Sequence, residues 1–345
     1  MNARMRTIFC AWMILLSAGC GGTGEGDTSA GDPADDKADS MKAACTTTTT
    51  KRSTPIELWI TPEAGDAPMA QVVSGAKKSI RVMVYILDSG AILSALLERT
   101  TAGLDVKVIL DHSEQSTNQA AFDALTKAGA QVLWSDPQFP YMHAKFLVVD
   151  GKEAIVATGN FSKKLIARER NLFSHDRDTK DVADLVALFD ADFARKAPTL
   201  SCTRLLVSPI NSLDRVVALI ASAKKSLTVE SMQFADSDVR NAVVARKQAG
   251  VDVRVLLADP SWIATNTTAA AFLSKNGIVA RRMVMPMVHI KNIVVDGTKS
   301  YLGSENLSST SLTQNREVGI VVTDSSPLAA IAASFDRDWN SATPF

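Results

Sequence analysis

The chain of 345 residues contains one stretch of twenty residues in two similar copies. HAKFLVVDGKEAIVATGNFS begins at His143, and HIKNIVVDGTKSYLGSENLS begins at His289. The whole sequence holds four histidines, and two of them open the two copies. This duplication constrains the fold more than any single motif, because both copies must occupy equivalent places in two similar structural units.

The similarity extends far beyond these twenty residues. Three further pairs of segments match at a separation of 147 positions, and the histidine pair is separated by 146. The pairs are LWITP (58–62) with LLVSP (205–209), SGAKKSIRV (74–82) with ASAKKSLTV (221–229), and AGLDVKVIL (102–110) with AGVDVRVLL (249–257). A repeat of about 140 residues is much longer than a solenoid repeat and indicates duplication of a whole unit.

Helical and extended patterns alternate within each unit, which is typical of an α/β unit with a largely buried sheet. We therefore predict a duplicated α/β sandwich, with units at residues 51–200 and 201–345 that face each other across a pseudo-two-fold axis. In the first unit the patterns predict helices at Pro68 to Lys78, Ala91 to Ala102 and Asn118 to Ala128, and extended runs at Ser79 to Leu87, Val106 to Leu110 and Gln131 to Trp134.

The first fifty residues are unlike the repeats. Residues 1–20 combine a short basic start, an apolar run from Ile8 to Leu16 and small residues before Cys20, which predicts an export signal too short to span a bilayer. The small residues resemble a bacterial lipoprotein processing site, so either lipidation of Cys20 or ordinary secretion fits. Residues 21–50 are small, polar and acidic and predict a flexible linker. We expect an exported bacterial protein in the periplasm, on the outer membrane as a lipoprotein, or secreted.

Two cysteines remain beyond the predicted signal, Cys45 and Cys202. In an oxidising compartment they could pair and join the start of the first unit to the start of the second; two free thiols are the alternative. The formal net charge is +0, and 33 basic and 31 acidic side chains lie from position 51 onward. This near-neutral body argues against the large positive surface expected of a protein that binds nucleic acid.

The duplicated stretch carries polar side chains at spacings that suit a phosphate group. Its first part reads as a strand, in which residues two apart project to one face, so the histidine and the lysine share a face. A hydroxyl and an amide follow at the same spacing. Together these groups offer an anion clamp and a group that can attack or protonate a phosphodiester. The residues are His143, Lys145, Thr158 and Asn160 in the first copy and His289, Lys291, Ser304 and Asn306 in the second.

Two histidines at equivalent places can divide the work of displacing an alcohol from phosphorus. A neutral imidazole can be the nucleophile, and a protonated imidazole can give the leaving oxygen its proton. Because the unperturbed pKa of histidine is about 6.5, both states are accessible near neutral pH. We therefore expect each copy to supply one role in a single shared site.

The pattern H-x-K-x-x-x-x-D, followed by six residues and then G-S-x-N, resembles the signature of the phospholipase D superfamily. This chain contains it twice, with Ala157 and Thr158 in place of the glycine and serine in the first copy. The resemblance covers both halves from about Pro55 to the C-terminus. It implies two units, each a mixed sheet flanked by helices, that build one phosphodiesterase or phosphatidyltransferase site without a metal or another cofactor. It also implies a phosphohistidine intermediate, with His143 as nucleophile and His289 as acid and later base by analogy, although the sequence leaves their order open. The implied phosphate-binding residues are Lys145 and Lys291, supported by Asn160, Asn306, Ser304 and Thr158.

The resemblance further implies an acidic residue that orients each histidine. Glu317 stands eleven residues after the second G-S-x-N motif, as expected, whereas the corresponding first-half position holds Asn171, with Glu169 two places earlier. We therefore expect either a less well oriented imidazole in the first half or substitution by Glu169. Asp150 and Asp296 are expected to support the structure around the motifs rather than the chemistry.

Two substrate classes are compatible with these residues. A phospholipid at a membrane surface is favoured by the predicted export, by the lipid anchor that Cys20 could carry, and by the near-neutral body. The alternative is an exported nuclease of the same superfamily, which should show a basic stripe with stacking aromatic residues. The intact His/Lys pairs argue against an inactive binding module. We predict a monomer, because both motifs lie in one chain.

Overall fold

The computed structural model of the protein describes residues 48–345. The predicted export signal, most of the predicted linker, Cys20 and Cys45 lie outside the described residues. Cys202 is disulfide-bonded, and its pairing with Cys45 stays a prediction. None of the helices in the described part of the chain combines the length and the apolarity needed to cross a membrane.

The first repeat alternates strands and helices at nearly all the predicted places. Its strands are β1 (Glu57–Thr61), β2 (Ser79–Val84), β3 (Leu87–Ser89), β4 (Asp105–Leu110), β5 (Gln131–Trp134), β6 (Lys145–Val149), β7 (Glu153–Ala157), β8 (Phe161–Ser162) and β9 (Glu169–Asp176). Its helices are α1 (Ala67–Ser74), α2 (Ala91–Thr101), α3 (Gln115–Ala128), α4 (Lys163–Ile166) and α5 (Thr179–Phe193). The prediction of the first helix is wrong at its end, since α1 stops at Ser74 and does not reach Lys78.

The second repeat follows the same order. Its strands are β10 (Leu206–Ser208), β11 (Ser226–Ser231), β12 (Asp252–Ala258), β13 (Ala280–Met283), β14 (Met287–Val288), β15 (Lys291–Val295), β16 (Lys299–Gly303), β17 (Glu317–Val322) and β18 (Thr343–Pro344). Its helices are α6 (Ser212–Ala221), α7 (Ser237–Gln248), α8 (Asn266–Lys275), α9 (Ser309–Thr313) and α10 (Ser325–Ser341).

The motif aspartates explain why α1 ends early. The Asp150 carboxylate accepts three backbone N–H groups from the segment that enters β2, at 2.7–3.2 Å, and Asp296 makes the same contacts before β11. Both aspartates have a left-handed backbone, with φ of 55° and 53°, which aspartate adopts more readily than most residues. Each aspartate therefore fixes the loop that leads into the central strand of its sheet, β2 or β11. The aspartates lie at the ends of β6 and β15 that are remote from the histidines. The donors are Lys77, Lys78 and Ser79 in the first repeat and Lys224, Lys225 and Ser226 in the second.

Each repeat builds one mixed sheet, and the two sheets have equivalent strand orders. The first runs β1-β9-β7-β6-β2-β4-β5, and the second runs β10-β17-β16-β15-β11-β12-β13 with β18 at its edge. Strands β2, β4 and β5 are parallel in the first sheet, and β11, β12 and β13 are parallel in the second. The other neighbours along these two orders pair antiparallel. This confirms the predicted duplicated α/β fold with mixed sheets.

The two sheets share a central apolar core. Along β6, Phe146 and Val148 project into this core, whereas Leu147 and Val149 project into a second core beneath the helices of the first repeat. A strand buried on both faces reads as a continuous apolar run, which explains the sequence of β6. Leu302 and other side chains of the second sheet enter the central core from the opposite side. The strands that follow both motif histidines therefore lie in the middle of the molecule.

Two buried ion pairs cross between the repeats. Arg170, in β9, binds Asp338 of α10 with Nε–Oδ2 and Nη2–Oδ1 distances of 2.6 and 3.0 Å. Arg316, just before β17, binds Asp192 of α5 with Nε–Oδ2 at 2.8 Å and Nη2–Oδ1 at 3.1 Å. Each arginine thus joins the strand region of its own repeat to the last long helix of the other repeat. The paired geometry satisfies buried charges that would otherwise be costly.

We expect Arg170→Met to lower the free energy of unfolding by about 3–5 kcal/mol, because Asp338 would keep a buried charge without its partner. Urea unfolding followed by circular dichroism measures this change. The control is Arg254→Met, which removes the partner of the half-exposed Asp336 and should cost less than about 1 kcal/mol. Equal losses in the two variants would contradict the structural role of the crossed pair.

Candidate active site

A cavity of about 420 Å³ takes its walls from both repeats. Both motif histidines line it, as do both motif asparagines. The site thus combines the two copies of the duplicated stretch, as the sequence predicted. The lining residues are Tyr85, Tyr141, His143, Asn160, Met232, Gln233, His289, Asn306, Ser308, Thr310, Ser311 and Asn315.

The histidines lie just before their strands rather than within them. β6 begins at Lys145, and the backbone N–H groups of His143 and Ala144 both donate to the carbonyl of Arg316 at 2.9 Å. In the second repeat β14 directly precedes His289 and pairs with β9 of the first repeat. The prediction of a strand starting at the histidine was therefore wrong, because the backbone at each histidine is held by the opposite repeat.

The imidazole contacts also cross between the repeats. His143 Nδ1 lies 2.9 Å from Glu317 Oε2, although Glu317 belongs to the second repeat. His289 Nδ1 lies 2.9 Å from Asn171 Oδ1 and 3.3 Å from Glu169 Oε2, both in the first repeat. Both expectations for the first-half imidazole are therefore wrong: Glu317 of the second repeat orients His143, whereas Glu169 and Asn171 face His289.

The two orienting segments carry the same residues in inverted order. The first repeat reads Glu169-Arg170-Asn171, and the second reads Asn315-Arg316-Glu317. In each, the amide donates to the carboxylate, at 3.2 Å for Asn171 Nδ2 to Glu169 Oε2 and at 3.0 Å for Asn315 Nδ2 to Glu317 Oε1. Both histidines therefore have one carboxylate and one amide nearby. Only His143 has the carboxylate in the nearer position.

The two lysines lie directly behind the histidines and are fully buried. Lys145 Nζ donates to the carbonyl of His143 at 2.6 Å, and Lys291 Nζ donates to the carbonyl of His289 at 2.5 Å. Lys291 Nζ also reaches the carbonyl of Thr158 across the repeat boundary, at 3.4 Å. The lysines therefore place positive charge behind the cavity wall and fix the backbone of the histidines.

Burial and these lysines set the protonation of the site. Burial lowers the pKa of His143 well below its ordinary value, and Lys145 and Lys291 lower it further. The pKa of His289 falls for the same reasons, with burial first. Burial likewise lowers the pKa of Lys291 to about 7 and raises the pKa of Glu317 to about 7. Desolvation thus opposes charge on nearly every group and favours neutral imidazoles.

The two motif amides line the cavity, whereas the two motif hydroxyls bind other groups of the protein. Asn160 and Asn306 line the cavity, and the buried Oδ1 atoms of both have no hydrogen-bond partner within residues 48–345. A half-turn of each amide would put a donor at the same place, because the oxygen and nitrogen ends have nearly the same shape. Thr158 Oγ1 instead donates to Asn171 Oδ1 at 2.9 Å, and Ser304 Oγ accepts from the backbone of β17 at 3.0 Å. These two hydroxyls brace the residues that orient the histidines.

The sequence reasoning missed Tyr85 and Met232 in the cavity wall. They are 147 positions apart and directly follow the central strands β2 and β11. Lys145 Nζ lies 5.1 Å from the Tyr85 ring centroid, and Lys291 Nζ lies 4.0 Å from Met232 Sδ. The signal was present, because equivalent residues at the carboxyl ends of parallel strands commonly face a site. The equivalence was missed because one residue is a tyrosine and the other is a methionine.

We expect both motif imidazoles to remain neutral at pH values well below the ordinary histidine pKa of 6.5. NMR titration of the imidazole carbon-bound protons, assigned with His143→Asn and His289→Asn, measures the two midpoints. Lys145→Met should raise the His143 midpoint, because one repelling cation is removed. Lys275→Met, at the exposed end of α8, should leave it unchanged. A midpoint at or above 6.5 in the ligand-free protein would refute this description of the site.

The family model and the similar proteins point to the same family. The profile of the family described as cardiolipin synthase, PLD-like domain, matches residues 69–195 and 216–339. Minor cardiolipin synthase ClsB of Bacillus subtilis is 23% identical, with 78% of this chain and 77% of the relative covered. A cardiolipin synthase of Clostridium perfringens strain 13 is 24% identical, with 82% and 70% covered.

A solved structure shows the same fold. The phosphatidylserine synthase of Haemophilus influenzae Rd KW20 aligns with a TM-score of 0.67 at 14% identity, covering 89% of this chain and 92% of that chain. The likeness extends over both repeats, in agreement with the two profile matches. The protein is therefore a member of the cardiolipin synthase, PLD-like domain family of the phospholipase D superfamily, and an enzyme of the phospholipase D type.

Proposed function

We propose that the protein transfers the phosphatidyl group of a phospholipid to an alcohol or to water through a phosphohistidine intermediate. The observation that carries this proposal is the shared cavity in which His143 and His289 are each held at Nδ1 by the opposite repeat. Two oriented imidazoles suit a double displacement at phosphorus, in which one attacks while the other transfers protons.

In the first step, Nε2 of His143 attacks phosphorus. The N–P bond forms as the bond from phosphorus to the headgroup oxygen breaks, and His289 gives its Nε2 proton to that oxygen. His143 suits this role because its Nδ1–H faces Glu317 Oε2 at 2.9 Å. The contact leaves a lone pair on Nε2, and the carboxylate stabilises the positive charge that the ring gains on phosphorylation.

In the second step, His289 takes the proton of the acceptor hydroxyl, whose oxygen attacks phosphorus. The new O–P bond forms as the N–P bond to His143 breaks, which restores both histidines. Asn171 and Glu169 keep a proton on His289 Nδ1, so that Nε2 exchanges its proton in each step. The amide in the nearer position stabilises imidazolium less than a direct carboxylate would, which suits a group that must both give and take a proton.

A phosphodiester anion would supply the negative charge that the site needs. Burial and both lysines lower the pKa of His289, and an anion in the cavity would act in the opposite direction. His289 would therefore gain its proton as substrate binds. Lys291, whose pKa lies at about 7, would become fully charged in the same step. The amides of Asn160 and Asn306 would bind the phosphate oxygens from the cavity wall.

A phospholipid is the substrate class that the relatives support. The family description and the matched relatives name cardiolipin synthase. The near-neutral body agrees with a lipid substrate better than with a nucleic acid backbone. Tyr141 and Met232 add apolar surface to the cavity wall. Export through residues 1–20 would place this activity outside the cytoplasm.

We expect the purified protein to form phosphatidyl-alcohol from phosphatidylglycerol vesicles and a primary alcohol, with EDTA present. The alcohol intercepts the phosphatidyl-enzyme in competition with water, so both phosphatidic acid and phosphatidyl-alcohol should appear by mass spectrometry. His143→Ala should lose both products by at least about 10³-fold, in line with the loss of an activated nucleophile. Lys275→Met serves as the matched surface control.

Folded protein that leaves every phospholipid intact would refute the lipid assignment. Cleavage of plasmid DNA by that same preparation would then favour the nuclease alternative. A strict requirement for a divalent ion in the presence of intact lipid surfaces would contradict the metal-independent mechanism.

A phosphatidyl ester of p-nitrophenol separates the roles of the two histidines. This leaving group needs little protonation, so His289→Ala should still release about one equivalent of nitrophenol and then stall, because the base for the second step is missing. His143→Ala should release none. Peptide mass mapping of the stalled His289→Ala protein should find the phosphatidyl group on His143. A burst from His143→Ala and none from His289→Ala would reverse the assignment.

A further inference from the structure

Three of the exposed large apolar side chains in the described part of the chain line the catalytic cavity or a groove beside His289. Tyr141 is 43% exposed and lines the catalytic cavity. Val284 and Met285 are 62% and 54% exposed and directly follow β13. Single exposed apolar residues are ordinary, but a group beside a cavity marks a surface for interaction.

The topology places Val284 and Met285 at the edge of the sheet that carries the site. Strands β11, β12 and β13 are parallel, so their carboxyl ends meet at one edge. Met232 and Gln233 follow β11 and line the catalytic cavity. Val284 and Met285 follow β13 at that same edge. Val279, which is 59% exposed, precedes β13 and lies at the opposite edge.

These residues form one side of an apolar groove next to His289. The groove has a volume of about 180 Å³ and is lined by Trp262, four residues of the segment 283–287, and three polar residues. The Trp262 ring stacks on the His289 ring at 6.0 Å between centroids and 29° between planes. Trp262 therefore lines the groove and contacts His289, which lines the catalytic cavity. The other lining residues are Met283, Val284, Met285, Met287, Arg168, Asp259 and Ser261.

Two arginines lie in or beside the groove, in a body of near-neutral charge. Arg168 lines the groove, and Lys163 and Lys164 are exposed on α4 a few residues before Arg168. Arg282 Nη1 lies 3.4 Å from Oδ2 of Asp259, the acidic residue that lines the groove. Apolar tips with basic residues nearby are complementary to a bilayer of anionic phospholipids, where each basic residue near the surface contributes about 1 kcal/mol.

We propose that the docking loop, residues 283–287 with Trp262, inserts into the surface of an anionic phospholipid bilayer and delivers lipid to the site. This inference rests on the proposed phospholipid substrate and adds where the membrane binds. Val284 and Met285 enter the outer acyl region, and Arg168 stays among the phosphate groups. An acyl chain then lies along the groove past Trp262, while its phosphate reaches His143 and His289. Tyr141, in the wall of the catalytic cavity, also contacts the interface.

Vesicle binding by a catalytically silent protein tests the docking loop separately from the chemistry. The His143→Ala protein is sedimented with vesicles of phosphatidylglycerol and phosphatidylethanolamine, and with vesicles of phosphatidylcholine as the uncharged comparison. Adding Val284→Ser and Met285→Ser should weaken binding to the anionic vesicles about tenfold, or about 1.4 kcal/mol. Adding Arg168→Gln should weaken it about fivefold, and only for the anionic vesicles.

Val279→Ser is the matched control, because it makes the same substitution at the opposite end of the same strand at nearly the same exposure. It should change vesicle binding by less than about twofold, as expected for an exposed side chain outside an interface. Equal effects of Val279→Ser and Val284→Ser would overturn the proposal.

Turnover separates failure of the docking loop from failure of the proposed function. With His143 intact, the Val284→Ser/Met285→Ser protein should lose vesicle turnover about tenfold, in proportion to binding, and keep turnover of a monomeric short-chain phosphatidylglycerol. Vesicle binding that the loop variants do not weaken would overturn the docking loop and leave the proposed function standing. Loop-dependent binding without turnover of either lipid would support the loop and overturn the proposed function.

Discussion

Each imidazole of the site is held by the repeat that does not contain it. Glu317 of the second repeat faces His143, and Asn171 with Glu169 of the first repeat faces His289. Backbone contacts also cross between the repeats. Strand β14 of the second repeat pairs with β9 of the first, and Met142, the residue before His143, forms a β-bridge with Arg316 of the second. Neither repeat therefore contains an oriented histidine by itself. The crossed Arg–Asp pairs and the shared apolar core secure the geometry on which this exchange depends.

The inverted order of glutamate and asparagine makes two equivalent histidines chemically unlike. A symmetric site would give both rings the same affinity for a proton, although the proposed reaction requires one ring to attack and the other to transfer protons. The segments 169–171 and 315–317 keep one carboxylate, one arginine and one amide each, so the local charge is conserved. The group nearest to each imidazole differs: the Glu317 carboxylate lies 2.9 Å from His143, whereas the Asn171 amide oxygen lies 2.9 Å from His289 and the Glu169 carboxylate lies 3.3 Å away. The asymmetry arises by exchange of two positions rather than by loss of a group.

Much of the fold could be predicted because its signals are local. Strands such as β4 and β5 and helices such as α2 follow from apolar periodicity, and the duplicated motif predicted a shared site. The errors concern contacts between residues distant in sequence. The end of α1 depends on Asp150, more than seventy positions later, and the start of β6 depends on the Arg316 carbonyl in the other repeat. The partner of each imidazole was misassigned for the same reason, since spacing within one repeat contains no information about which repeat supplies it.

Burial of four basic side chains around one cavity carries a desolvation cost. Full charge on His143, His289, Lys145 and Lys291 would require several kcal/mol of desolvation for each ion. The lowered pKa values of all four groups show how the protein avoids part of this cost, and the raised pKa of Glu317 shows that burial also limits the balancing negative charge. A neutral ligand of the same shape would leave the buried positive charge unbalanced. A phosphodiester anion, the group proposed to bind here, would balance this positive charge.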